Sequence, residues 1–215
     1  MACDLWLVPL VDVLCQSPDN PFAEEIAAYD KALTESGLPT VPIFPYMPGL
    51  SGDVAPVAGF DYDALHFLRR AYILLARGLA VTPVGELGGD YEQLLEVFED
   101  TALGSHLVWH FDHAGAYVPV DFPAPLSNEE LLAGGGPLGS VQGLLRELEY
   151  VAPAIGIDPA NPPAPPAPPT GPTTLEETAP APLDPSPFAR ERHVWLGLHA
   201  ATTRSLAQGS MLIFS

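Results

Sequence analysis

Between Ser105 and Phe122 the chain reads SHLVWHFDHAGAYVPVDF, and large apolar residues there fall at every second position. Leu107, Trp109 and Phe111 alternate with His106, Val108 and His110; past Asp112-His113-Ala114-Gly115, Val118, Val120 and Phe122 alternate with Tyr117, Pro119 and Asp121. Period two on both sides of a polar break predicts a β-hairpin. With residues 112–115 as the connection, His110 opposes Tyr117 and His106 opposes Asp121. Changing the loop by one residue would mix the apolar and polar faces, so the parity is fixed while the register stays open. One face is expected in the core. The other carries His106, His110, Tyr117 and Asp121, with Asp112 and His113 at the tip. Pro119 cannot donate to a ladder and places the hairpin near a sheet edge.

Helical spacing accounts for most of the remaining apolar residues. Phe22, Ile26, Tyr29 and Leu33 predict a helix over residues 21–36, stopped by Gly37; Leu65, Leu68, Tyr72 and Leu75 predict a second over 61–78. Leu94, Leu95 and Phe98 mark an acidic amphipathic helix over 90–100, and Ser127 opens a short helical turn. Leu144, Leu145, Leu148 and Val151 predict a strong helix after Ser140, and Trp195, Leu198, Thr202 and Leu206 form the inward stripe of a last one from Phe188. Apolar runs at 3–10 and 211–215 read as strands, with a short addition at 79–84. Residues 38–59, rich in Pro and Gly, read as a long ordered loop or a strand fragment. The expected fold class is α+β or mixed α/β: one domain over 1–215, a small mixed sheet with the hairpin near one edge, and about six helices. Residues 158–187, rich in Pro and Ala, form a loop insertion of extended, polyproline character.

Charge changes the picture more than composition does. Twenty-seven acidic residues face eight basic ones, for a net charge near −19. A surface of that sign argues against nucleic acid and anionic membranes as ligands and favours a basic protein partner. The apolar start, ACDLWLVPLVDVLC, has no basic leader and is broken by Asp4, Pro9 and Asp12, so it does not read as a signal peptide. No run reaches membrane-spanning length. Cys3 and Cys15 read as thiols in a reducing cytoplasm.

The polar face of the hairpin offers the one constellation with chemistry. His106, His110, Tyr117 and Asp121 are candidate acid–base residues, with Tyr117 as a proton donor. His106, His110, His113, Asp112 and Asp121 are candidate ligands for a divalent transition metal, although H-x3-H-x2-H is not a complete zinc spacing. The bland reading makes this a covered or solvated sheet face whose histidines satisfy polar neighbours. Arg69 and Arg70 could anchor an anionic metabolite, or pair with the many carboxylates. The glycines at 134–139 lack a Walker lysine and a preceding strand, so a flexible loop capped by Ser140 accounts for them better than a phosphate cradle does. Catalytic elbow, dinucleotide fingerprint and CxxC are absent from the sequence.

In general character, a small acidic cytoplasmic α+β protein resembles the bacterial immunity proteins that neutralise basic toxins. That resemblance implies a binding protein engaging a basic partner, without cofactor or chemistry of its own. The alternative is a metal-dependent hydrolase or metal-binding protein built on the His/Asp face of residues 105–122.

Overall fold

The computed structural model describes residues 2–11, 20–44, 55–84, 90–110, 114–127, 132, 136–165 and 185–214. Its centre is a five-stranded mixed sheet of β1 (Ala2–Pro9), β2 (Ala55–Asp61), β3 (Ala116–Val118), β4 (Leu138–Ser140) and β5 (Ser210–Phe214), in the order β2-β1-β5-β3-β4. Only β3 and β4 run parallel; the other neighbours are antiparallel. Six helices accompany it among the described residues: α1 (Ala23–Glu35), α2 (Tyr62–Ala76), α3 (Tyr91–Val97), α4 (Glu99–Leu103), α5 (Val141–Val151) and α6 (Ala189–Gln208). The architecture is α+β, as the patterning predicts.

Both faces of the sheet are covered, which is why its central strands are apolar at consecutive positions. Leu5, Leu7, Tyr117, Leu212 and Phe214 pack with Leu65 and Leu68 of α2, Leu144 and Leu148 of α5, and Trp195 and Leu198 of α6. Val8, Ala116, Val118 and Met211 point the other way, against Tyr29 and Leu33 of α1. A smaller cluster of Ile73, Tyr91, Ala102 and Val108 seats α3 and α4 beside α2. The α6 stripe is placed as its spacing predicts: Trp195 is fully buried and its indole donates to the Leu148 carbonyl at 2.7 Å. Gly209, at φ +60°, turns α6 directly into β5.

Two local expectations are corrected, and one open alternative is resolved. Residues 105–110 form a turn, and β3 pairs with β5 and β4, so there is no hairpin over 105–122. Residues 79–84 are not a strand. The strand in the Pro/Gly-rich region is β2, an edge strand whose Pro56 sits opposite Trp6 where the β1 register shifts. Cys15, Asp112, His113, Phe111, most of the helical turn after Ser127, and residues 166–184 of the Pro/Ala-rich stretch lie outside the described residues.

Candidate functional site: a buried polar lock and an acidic exterior

The residues singled out for chemistry meet in the interior. His106, His110 and Tyr117 are each no more than 3% exposed. His106 sits in the turn that leads out of α4, and its ring is held on two sides. The backbone N–H of Ser140 donates to Nδ1 at 3.1 Å, and Nε2 lies 3.0 Å from the Phe122 carbonyl. An N–H can only donate and a carbonyl can only accept, so the imidazole is neutral with its proton on Nε2. Burial, the largest influence, pulls its pKa down to about 4. Both ring nitrogens are thereby engaged within the fold.

Tyr117 donates its hydroxyl to the His106 carbonyl at 2.7 Å, and the His110 ring stacks on the Tyr117 ring with centroids 4.2 Å apart. The expected His110–Tyr117 proximity is therefore real, but it arises from a turn folded over β3. Asp121 is not opposite His106 on a ladder. It is exposed and forms a bidentate pair with Arg146, at 2.8 and 3.1 Å, which holds its carboxyl below the usual range.

The residue that sequence reasoning passed over is Glu147, on α5. Its carboxylate accepts from Ser105 Oγ at 2.8 Å, from the His106 N–H at 2.9 Å and from the Leu107 N–H at 2.7 Å. It caps the turn much as an acidic side chain caps a helix start, from 40 residues away in sequence. Burial, acting against those three donors, pushes its pKa up to about 7. From the opposite side Arg69 of α2, also buried, donates to the carbonyls of Leu107 and His110, both at 2.9 Å. The donors of Arg70 go to Asp90 and to the Thr82 carbonyl and hydroxyl. The two arginines thus divide into a buried strut, Arg69, and a surface tie, Arg70, the latter pairing with a carboxylate as one of the two readings of the sequence has it.

Two glycines near α5 complete the lock. Tyr117 pairs with Gly139 across β3 and β4, and a Cβ at Gly139 would lie within 2.3 Å of the Tyr117 ring. A Cβ at Gly143 would lie within 2.1 Å of the His106 ring. Gly139, at the end of the glycine run, therefore makes room for the Tyr117 ring and Gly143, within α5, for the His106 ring, while Ser140 caps α5 by accepting from the Gly143 N–H at 3.0 Å. Among the described residues, no three His, Cys, Asp or Glu side chains converge as a metal set.

Outside this lock the described surface is rich in carboxylates. Glu24, Glu25 and Glu35 of α1, Glu92 and Glu96 of α3, and Glu99 and Asp100 of α4 are all exposed. Glu92 and Glu96 stand four residues apart within α3, where like charges weaken a helix by a few tenths of a kcal/mol per pair. Arg70, Arg77 and Arg146 pair with Asp90, Asp100 and Asp121. No helix among the described residues is long and apolar enough to cross a membrane.

This is an α+β protein whose His106 and His110 lie in a buried structural lock and whose described surface carries many carboxylates. The sequence profile of the family described as "Putative DNA-mimic protein" matches residues 1–214, and the chain belongs to that family. No curated protein and no solved structure matches it. The description fits acidic binding in general and does not extend to the immunity-protein resemblance. It also corrects the flat exclusion of nucleic acid: a family described by imitation of DNA implies a link to the proteins that bind DNA.

Proposed function

We propose that this protein is a DNA mimic whose carboxylates occupy the DNA-binding face of a basic protein in place of phosphates. The observation that carries this reading is the exposed carboxylate array, held by a chain of net charge −19. Glu92 and Glu96 on α3 and Glu99 and Asp100 on α4 place four exposed carboxylates within nine residues. One DNA strand carries a phosphate every ~3.4 Å of axis, so a protein surface shaped for DNA presents closely spaced cationic groups to such carboxylates. Membership in the DNA-mimic family supports the same conclusion.

The array stands on a rigid base. Tyr91, Ala102 and Val108 pack on Ile73, and the turn after α4 is pinned by Glu147 and Arg69. Preorganised charges avoid the ordering cost that a flexible polyanion pays on binding.

The test is displacement. The immobilised full-length chain is loaded with extract of the cells that produce it, and bound proteins are eluted with duplex DNA or with NaCl of equal ionic strength. Release of DNA-binding proteins by the duplex at a concentration where NaCl releases nothing is the expected result. Bound proteins that ignore the duplex would overturn the reading.

A further inference from the structure

The outer face of α3 and α4 carries something that DNA phosphates do not. Val97 is 68% exposed and Leu103 43%, and they stand among the exposed carboxylates Glu92, Glu96, Glu99 and Asp100. The inward side of these helices is already filled by Tyr91 and Ala102, with Leu94, Leu95 and Phe98 packed against the same cluster. The fold has no use for Val97 on the outside. Arg77 balances one of these four acids, bonding Asp100 at 3.0 Å while lying over the Phe98 ring at 4.6 Å.

We propose that the outer face of α3 and α4 is the docking surface for a basic protein, which meets it with an apolar side chain set among lysines or arginines. This rests on the DNA-mimic reading and adds to it the means of choosing one basic protein among many. Charge complementarity carries the argument for the occupant: exposed apolar side chains on an acidic helix pair disfavour anionic lipid and nucleic acid alike, and suit a partner that brings cationic groups beside an apolar one. The carboxylates speed encounter, while burial of Val97 lengthens the stay. A partner with basic groups alone would gain the first effect without the second.

Two synthetic helical peptides of equal lysine content serve as probes, one with leucines along one face and one with serines in their place. Binding of the full chain to each is measured by calorimetry at low and moderate salt, with amide hydrogen exchange to locate the contact. The Lys/Leu peptide is expected to bind the parent roughly tenfold more tightly than the Lys/Ser peptide, the scale of burying one such side chain. Protection should fall on residues 91–103. Val97→Ser should remove that advantage and leave the salt dependence intact, whereas Glu92→Gln with Glu96→Gln should flatten the salt dependence for both peptides. Val97 is exposed, so its replacement does not threaten folding.

Equal affinity for both peptides, a silent Val97→Ser, or protection elsewhere overturns this docking face while leaving acidic binding intact. Failure of both peptides to bind at low salt overturns the acidic-binding reading beneath it, and the docking face with it.

Discussion

The backbone N–H of Ser140 points at Nδ1 of His106, 3.1 Å away, and thereby decides which nitrogen of that ring carries the proton. Nε2 then donates to the Phe122 carbonyl. Nitrogen-15 NMR of the ring is expected to report the neutral Nε2–H tautomer from pH 5 to pH 8, since the pKa lies near 4. A ring that titrates near 6.5 would mean that the lock is open in solution.

Glu147 and His106 have opposite pH dependences over one window. The His106 pKa falls from 6.5 to about 4 on folding, so its contribution to stability is present above pH 6.5 and lost as the pH drops toward 4. The Glu147 pKa rises from 4.5 to about 7, so its contribution is present below pH 4.5 and lost as the pH climbs toward 7. Each shift corresponds to something on the order of 3 kcal/mol, and between pH 4.5 and 6.5 they offset. Glu147→Gln should gain stability relative to the parent as the pH rises, and His106→Asn should gain it as the pH falls. Urea midpoints at pH 4.5, 5.5 and 6.5 measure both, and profiles parallel to the parent's would refute the coupling.

Gly139→Ala drives a methyl group into the Tyr117 ring, because the two residues are paired across neighbouring strands. Overpacking of this kind costs about 1–3 kcal/mol. Tyr117→Leu alone is also costly, since it removes the hydroxyl that donates to the His106 carbonyl. In the double variant the clash is gone, so the combined loss should be less than additive; strict additivity would show that the ring does not lie over residue 139.

What could be read from the chain followed the range of the interactions involved. The start of α5 was legible because Ser140 caps it three residues from Gly143, and α6 because Trp195, Leu198 and Thr202 share one face. The turn at 105–110 was not, although the alternation of Leu107 and Trp109 with His106 and His110 is genuine. Its N–H groups are taken by Glu147, a carboxylate on a distant helix that no local pattern connects to it. β2 was obscured by Pro56 and Gly59, which an edge strand tolerates, and β4 is three residues long. The charge that supports the proposed function was plain from composition, but carboxylate arrays have no spacing motif, so its meaning rests on the family. His106, His110 and Tyr117 do meet, but through a turn folded over β3 within the core and not on a hairpin face, because the alternation does not show which element buries them.

The carboxylates of α3 and α4 cost the fold stability, and that cost is measurable. Glu92 and Glu96 repel at four-residue spacing within α3, and the net charge of −19 adds long-range repulsion. Raising the salt from about 0.01 M to 0.15 M shortens the Debye length from ~30 Å to ~8 Å, so the thermal midpoint of the parent should climb with added NaCl. Glu96→Lys should raise stability at low salt by a few tenths of a kcal/mol while weakening capture of DNA-displaceable proteins. A thermal midpoint indifferent to salt would remove the premise. Opposite responses of stability and binding to the same substitution would mean that these charges are kept for the partner at the expense of the fold, as a docking surface requires.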